Sequence, residues 1–351
     1  MNANFWITRM LASALWLPAA AAYCASFNDV LDTPATSSSL AARALINGLA
    51  NAGQRIVGVG QRGHIVFSDD HGKSWRQAKV PVSSDLTAVC FPSARQGWAV
   101  GHDGVILHST DAGASWTRQL DGRAIGALIN RYYSHADVSD AVRADAGNLA
   151  AQVLDKPFLD VWFDNDKSGF AVGAFNLILH TDDGGASWQP WLERTDNPKG
   201  LHLNAIRAVG HDLYIVGEQG LVRKLDQRRA RFEAVPTPYQ GSYFGIIGKP
   251  GVVIAFGLRG NAYRSLDAGR SWQKVSTGLQ VGLTAGAVLH DARFALLSQA
   301  GQVLLSADNG ASFQVIKPAA SEPTSAVAAD AADQLILAGV RGVRVQALAG
   351  K

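Results

Sequence analysis

The chain has 351 residues, of which 47% are hydrophobic and 17% are charged. This composition is typical of a globular protein with a large core and excludes a disordered or fibrous chain. The formal net charge is only +3, and the basic residues are scattered apart from the segment 227–231, so no nucleic-acid-binding surface is indicated.

The N-terminal residues have the pattern of a signal peptide. A positive charge at Arg9 precedes an apolar run, 10–22, that is too short for a transmembrane helix. Ala20 and Ala22 supply the small residues of a cleavage site. We therefore predict a signal peptide over 1–22, with cleavage as late as residue 25 as the alternative. The mature chain would be periplasmic or otherwise exported.

The cysteine content bears on anchoring and on stability. Cys24 permits an alternative interpretation as a lipoprotein, but Tyr23 stands where a small residue is expected before a lipidated cysteine. The chain has only two cysteines, so a disulfide scaffold is not indicated and the core must stabilise the exported protein.

An eight-residue motif, Ser/Thr-x-Asp-x-Gly-x-Ser-aromatic, occurs five times. The copies are SDDHGKSW (68–75), STDAGASW (109–116), TDDGGASW (181–188), SLDAGRSW (265–272) and SADNGASF (306–313). The first two copies end 41 residues apart, as do the last two, and 84 residues separate Trp188 from Trp272. This second interval leaves room for a degenerate copy around Asp226. The period suits one four-stranded blade of a β-propeller.

The residues of the motif indicate a hairpin staple. The aspartate can accept hydrogen bonds from amides of its own turn, the glycine permits a left-handed backbone, and the aromatic ring can pack between sheets. A metal site is the alternative, but each copy has one required carboxylate whereas calcium takes six to eight oxygens. We therefore predict no metal or cofactor, and a structural role for the five aspartates Asp70, Asp111, Asp183, Asp267 and Asp308.

Seven hairpin patterns, each an apolar run, a tight turn and a second alternating run, predict seven blades in a single domain over 26–351. The last pattern, near 335–345, is followed by few residues, so its blade would lack an outer strand. We expect the segment Phe27–Ala35 to supply that strand and close the ring.

One interval exceeds the period, because Trp116 and Trp188 are 72 residues apart. Apolar positions such as Leu128, Ile129, Leu149 and Val153 have helical spacing, which predicts a helical insertion over about 121–157 between blades two and three. An insertion of this length in a compact domain is more often functional than not, although a solvated segment without a role is the alternative.

The motif turns and the turns between the second and third strands should lie on opposite faces of the disc. The second set, together with the links between blades, would form a partner-binding face. It would carry arginines in equivalent turns, suited to carboxylates or a peptide terminus, along with other polar and aromatic residues. The predicted partner-binding residues are Arg62, Arg259, Arg341, His102, Asp103, Glu218, Tyr239, Tyr243 and Phe244. Solvation of the loops is the alternative for the arginines.

The motifs, their spacing and the phrases KPFLDVWF, NAIRAVGHDLYIVGEQG and AFGLRGNAYRSLDAGRSW resemble the bacterial branch of the photosystem II stability and assembly factor family of Asp-box propellers. The resemblance implies a non-enzymatic protein whose arginine-lined face holds a membrane-protein client, as a chaperone would. Arg62, Arg259 and Arg341 are the positions that would form that patch. The helical insertion departs from the pattern in phototrophs, so the client is left open. We expect a monomer.

A sialidase-like glycoside hydrolase or a sugar-binding propeller is the alternative function. Such a glycosidase needs two placed carboxylates, and only Glu218 is a plausible strand-end glutamate. A lectin would use exposed tryptophan platforms, whereas four tryptophans here belong to the motifs. Neither pattern is complete in this sequence.

Overall fold

The structure is a computed structural model that describes residues 28–316, 322–330 and 334–348. Its described residues form seven antiparallel sheets, each with its strands in sequence order, and one helical pair. This arrangement is the predicted seven-bladed β-propeller.

The first four blades share a pattern of two longer strands followed by two shorter ones. They are β1 (Ile46–Ala52), β2 (Arg55–Gly60), β3 (Ile65–Ser68) and β4 (Arg76–Gln77); β5 (Leu86–Cys90), β6 (Gly97–Gly101), β7 (Ile106–Ser109) and β8 (Thr117–Leu120); β9 (Phe158–Phe163), β10 (Gly169–Gly173), β11 (Ile178–Thr181) and β12 (Gln189–Pro190); and β13 (Leu203–Val209), β14 (Asp212–Gly217), β15 (Val222–Asp226) and β16 (Arg231–Ala234).

The remaining three blades complete the ring. They are β17 (Tyr243–Lys249), β18 (Val252–Gly257), β19 (Ala262–Ser265) and β20 (Gln273–Val275); β21 (Leu283–Val288), β22 (Phe294–Ser298), β23 (Val303–Ser306) and β24 (Gln314–Ile316); and β25 (Thr324–Asp330), β26 (Gln334–Gly339) and β27 (Gly342–Ala347). The first strand of each blade lies beside the first strands of both neighbours, including β1 beside β25, so the ring is closed.

A belt of hydrogen bonds joins the first strands around the central channel. The second residue of each of these strands is a bulge that has no partner in its own sheet. In five blades its side chain donates to a backbone carbonyl of the next blade, at 2.6–3.0 Å. These bonds are Asn47 to Leu86, Thr87 to Phe158, Asn204 to Tyr243, Thr284 to Thr324 and Ser325 to Ile46.

The two blades without a belt donor have Leu159 and Phe244 at the bulge. At the junction after Leu159, the buried carboxylate of Asp160 accepts a hydrogen bond of 2.8 Å from the amide of Ile206 and a second one from the guanidinium of Arg207. The contact between blades three and four is therefore also polar, but it uses a carboxylate in place of the bulge residue.

The eight-residue motifs connect the third and fourth strands, as predicted. In the copy of blade two, Asp111 accepts hydrogen bonds from the amide of Ser115 at 2.9 Å and from the hydroxyls of Ser109 and Ser115. The Trp116 indole donates to the Gly113 carbonyl at 3.0 Å, and its ring packs in the core cluster that blade two shares with blade one. The other four copies repeat the aspartate bonds. The motif therefore stabilises its own turn, and its aromatic ring also packs into the contact between blades.

The insertion forms two helices, α1 (Gly122–His135) and α2 (Asp140–Gln152), as expected for the interval after blade two. Asp121 caps α1 by accepting from the amides of Arg123 and Ala124. Tyr132 and Tyr133 donate to the carboxylate of Glu193, in the link between blades three and four. The helices are therefore docked against the propeller.

The expectation that Phe27–Ala35 completes blade seven is wrong for the residues that the structure describes. The amide of Ala35 bonds to the carbonyl of Val80 and the carbonyl of Val30 accepts from Ser83, so this segment lies beside blades one and two. Arg123 of α1 pairs with Asp32 at 2.8 Å and adds a charged contact that holds the segment there. Phe27 and the predicted signal peptide lie outside the described residues.

Blade seven consequently has three strands among the described residues. A short 3-10 turn before β1, Ala41–Arg43, packs against β27, and a Cβ on Gly342 would approach the Ala42 carbonyl to 1.9 Å. Closure thus rests on this turn, on the belt bond of Ser325 and on the hydrogen bond between His71 and Asp330.

We expect Ser325→Ala to lower the free energy of unfolding by about 1 kcal/mol, since it removes one partly buried hydrogen bond at the junction that closes the ring. Chemical denaturation measures the change. The control is Ser134→Ala on α1, which removes an exposed hydroxyl bonded only within its own helix. Equal stability of the two variants would show that the belt bond does not support closure.

We expect Asp111→Ala to destabilise the protein by about 1 to 2 kcal/mol, because the turn amide and two hydroxyls lose their acceptor. Thermal and urea unfolding provide the measurement. Asp166→Ala serves as control, since Asp166 is an exposed loop residue whose carboxylate forms no hydrogen bond or ion pair with described residues. A fully stable Asp111→Ala protein would contradict the structural role of the motif.

Stability should also fall in acid because of these staples. Hydrogen bonds from Ser74 and from Ser271 lower the pKa of Asp70 and of Asp267, respectively, from 3.8 to about 2. Since each pKa is lower in the folded state, the stabilisation is complete above about pH 4 and is lost as the pH falls towards 2. Melting temperatures across this range should fall less steeply for the Asp70→Asn/Asp267→Asn double variant than for the wild type. Parallel curves would exclude the two carboxylates as the cause.

Candidate partner-binding face

Seven turns between the second and third strands, together with the links between blades, form one face of the disc, here called the turn face. The motif turns form the opposite, box face. In blade one, a Cβ on Gly60 would lie 2.0 Å from the carbonyl of Leu45, and one on Gly63 would lie 2.1 Å from that of Val82. The turn is therefore clamped between two links, and only glycine fits at both positions.

The middle residue of the turn is directed away from this clamp. In five blades it is a non-glycine residue in the left-handed region, with φ between 50° and 56°. These residues are Arg62, Asp103, Phe175, Gln219 and Arg259. Left-handed backbone is uncommon and unfavourable for residues with a Cβ. The repeated geometry displays one variable side chain from each of these blades.

The structure places the three predicted arginines on the turn face. The side chains of Arg62 and Arg259 are exposed and form no ion pair with any described residue. Arg341 pairs with Glu322 at 3.1 Å while its side chain stays 78% exposed. Arg62 and Arg341 belong to the neighbouring blades one and seven, whereas Arg259 belongs to blade five.

The other predicted residues divide between surface and core. His102 is exposed, Phe244 is 36% exposed, and Tyr239 is half-buried with its hydroxyl bonded to the Leu258 carbonyl. Tyr243 is wholly buried in the contact between blades four and five, so the expectation that it meets a partner is wrong. It precedes the bulge, and in a strand adjacent side chains point to opposite sides.

The two acidic candidates, Glu218 and Asp103, differ in whether their carboxylates bond within the fold. The carboxylate of Glu218 accepts a hydrogen bond of 2.9 Å from the amide of His202 in the preceding link. Asp103 is half-buried beside the start of α1, where its carbonyl approaches Gly122. Glu218 therefore holds a link in place, whereas the carboxylate of Asp103 forms no hydrogen bond or ion pair with described residues.

The aliphatic component of this face was not predicted from the sequence. Leu258 is 40% exposed, Val340 is 50% exposed and Val281 is 38% exposed. The first two directly precede Arg259 and Arg341 in their turns, a pairing visible in the phrases LRG and VRG. Arginine is enriched at protein interfaces, and the buried centre of an interface is more apolar than the rest of the surface.

A groove of about 520 Å³, here called the insertion groove, lies between α2 and the link that follows blade three. Leu149 and Leu192 contribute apolar surface, Asn148 and Gln152 line the helix side, and Phe175 contributes an aromatic ring. Its volume is within the range of ligand-binding pockets. The groove was not predicted from the sequence.

The central channel is a second, narrower cavity of about 240 Å³. Its wall carries the belt residues and two charged groups, Asp160 and Arg207, which pair with each other.

Among the described residues, no group of three or more His, Cys, Asp or Glu side chains could hold a metal ion. In the same part of the chain, no helix has the length and apolar character needed to cross a membrane.

Comparison with known proteins shows the family of the chain. The family described as photosynthesis system II assembly factor YCF48 matches residues 50–128 and 148–293. The photosystem II assembly lipoprotein Ycf48 of Synechococcus sp. (strain CC9902) is 31% identical over 119 residues, which cover 33% of this chain and 35% of that protein. The chain therefore aligns with about a third of the length of this curated relative.

Solved structures show the same fold. A structure of YCF48 bound to a D1 peptide superposes with a TM-score of 0.66, covering 91% of this chain and all of that one at 17% identity. YCF48 from Cyanidioschyzon merolae gives a TM-score of 0.60 at 14% identity, covering 90% of this chain and 97% of that one. At these identities the structures support the fold, whereas the two segments matched by the family profile cover more than half of the sequence. The chain belongs to the YCF48 family of photosystem II assembly factors.

Proposed function

We propose that this protein is an exported, non-enzymatic binding protein whose turn face holds an exported segment of a membrane-protein client while that client is assembled or stabilised. The observation that carries the proposal is the pairing of displayed arginines with exposed apolar side chains on one face, at Leu258–Arg259 and Val340–Arg341. Such a surface suits a peptide that combines carboxylates with apolar residues.

Family membership supports the proposal, since a relative has been solved with a D1 peptide and another is described as an assembly lipoprotein. The client of this chain need not be a photosystem subunit, because the match to the family is interrupted between 128 and 148, within the helical insertion. An exported location follows from the signal peptide predicted over 1–22. We propose that the protein acts as a monomer without a cofactor.

Replacing Arg62, Arg259 and Arg341 together by alanine should weaken client capture by at least about tenfold, because each guanidinium provides paired donors for a carboxylate. The melting temperature should barely change, since exposed charges contribute little to stability. Crosslinking of the purified protein to detergent-solubilised membranes, followed by quantification of the captured proteins, measures the effect.

The matched control removes three positive charges from the box face, in the variant Lys73→Ala/Arg228→Ala/Arg270→Ala. It loses the same net charge, so it separates a local effect of the turn face from a general electrostatic one. Capture by the wild type should decline with added salt, since exposed charges are screened over about 10 Å at 0.1 M. Equal capture by both triple variants would exclude the turn-face arginines as the binding surface.

Glu218→Ala distinguishes the binding protein from a glycoside hydrolase. A hydrolase would lose turnover with this carboxylate, whereas a binding protein has no turnover to lose. Hydrolysis of a sialoside by the wild type, abolished in Glu218→Ala, would overturn the proposed function.

A further inference from the structure

The insertion groove is lined by residues of the turn face, but none of the three predicted arginines lines it. Its helical wall, α2, belongs to the insertion. The first half of α2 falls between the two segments that the family matches, whereas Asn148 and Gln152 lie at the start of the second segment. The insertion is nevertheless held firmly, because the carboxylate of Glu193 accepts hydrogen bonds from Tyr132 and Tyr133.

The wall opposite α2 is preorganised. The side chain of Asn197 donates to the Asn176 side chain at 3.0 Å and to the Leu201 carbonyl at 2.8 Å, and it accepts from the Leu201 amide at 3.1 Å. The link therefore keeps its shape without a ligand. A rigid wall reduces the entropy that a bound molecule would lose in ordering its site.

The wall formed by α2 presents unused hydrogen-bonding groups. Asn148 and Gln152 are exposed, lie one helical turn apart and line the groove, and neither side chain bonds to any described residue. A side-chain amide carries both a donor and an acceptor. Two such amides on one helix face can bond to the alternating N–H and C=O groups of an extended peptide backbone.

The groove carries charged groups of both signs. Lys156 lies 4.1 Å from the ring centroid of Phe175, which is 50% exposed, and Lys199 also lines the groove. Asp145 and Asp196 line it too, and their carboxylates form no ion pair with described residues. Arg231 is a third basic lining residue, and its guanidinium donates to the carbonyl of Glu193. The groove therefore offers lysines beside an exposed aromatic ring together with unpaired carboxylates.

From these features we propose that the insertion groove is a second binding site, for an extended peptide segment of a partner protein. The amides of Asn148 and Gln152 bond to the peptide backbone. Carboxylates of the peptide lie beside Lys156 and Lys199, an apolar side chain packs on Phe175, and a basic residue lies near Asp145. This site goes beyond the proposed function, because it requires none of the turn-face arginines.

Two fluorescein-labelled decapeptides provide the probe. Both have a central Leu-Leu pair flanked by serines; one carries two aspartates at one end and two lysines at the other, and the second carries asparagine and glutamine at those positions. Fluorescence anisotropy with the full mature protein should show the charged peptide binding at least about fivefold more tightly at low salt. Equal affinity, or no binding of either peptide at millimolar protein, would overturn the proposal.

Two double variants test the helix amides and the lysines separately. Asn148→Ala/Gln152→Ala should weaken both peptides by about tenfold, since both use backbone bonds, and alanine at exposed helical positions does not weaken the helix. Lys156→Gln/Lys199→Gln should remove the preference for the charged peptide while leaving the neutral one unchanged. The matched control is Asn130→Ala, which removes an exposed amide from α1, outside the groove.

The groove proposal can be wrong while the proposed function is right. The Arg62→Ala/Arg259→Ala/Arg341→Ala protein should bind the charged decapeptide as the wild type does. If this variant loses the peptide while Asn148→Ala/Gln152→Ala retains it, the peptide binds to the three arginines and the groove proposal is wrong. Sedimentation of a dimer that Asn148→Ala/Gln152→Ala dissociates would instead identify a second copy of the chain as the occupant and would also overturn it.

Discussion

The close approach of seven first strands around one channel is the constraint on which the rest of the structure depends. Neighbouring first strands belong to different sheets, so their contacts cannot use the regular ladder of β-pairing. A bulge frees one side chain per strand to reach across, and five of seven junctions use it to bond to a carbonyl of the next blade. These bonds hold each blade beside its neighbours around the ring, and the turns of every blade are thereby held on the two faces of the disc.

The fold could be predicted because its signals are local. The staple of Asp111 joins residues within the octet 109–116, and the turn glycines stand at fixed places in each hairpin. The spacing of these signals fixes the number of blades and the face on which each turn lies. The helical insertion was predictable for the same reason, because its apolar residues have helical rather than strand spacing within one continuous segment.

The features that were not predicted depend on contacts between distant segments. The N-terminal segment docks through Arg123 and Val80, which lie far along the chain and carry no matching pattern. Tyr243 and Phe244 look equivalent in sequence, but the bulge buries the first and partly exposes the second. The insertion groove requires α2 and the link after blade three to meet, and neither wall alone indicates a cavity.

The clamped turns have a consequence for how the surface can change. Their glycines contact the links, so they fix the path of the backbone, while the residue between them points away and contributes little to packing. A substitution at Arg62, Gln219 or Arg259 can therefore change the exposed surface without disturbing the blade that carries it. The disc is a modular array in which each of these five blades presents one side chain that can be exchanged on an unchanged scaffold.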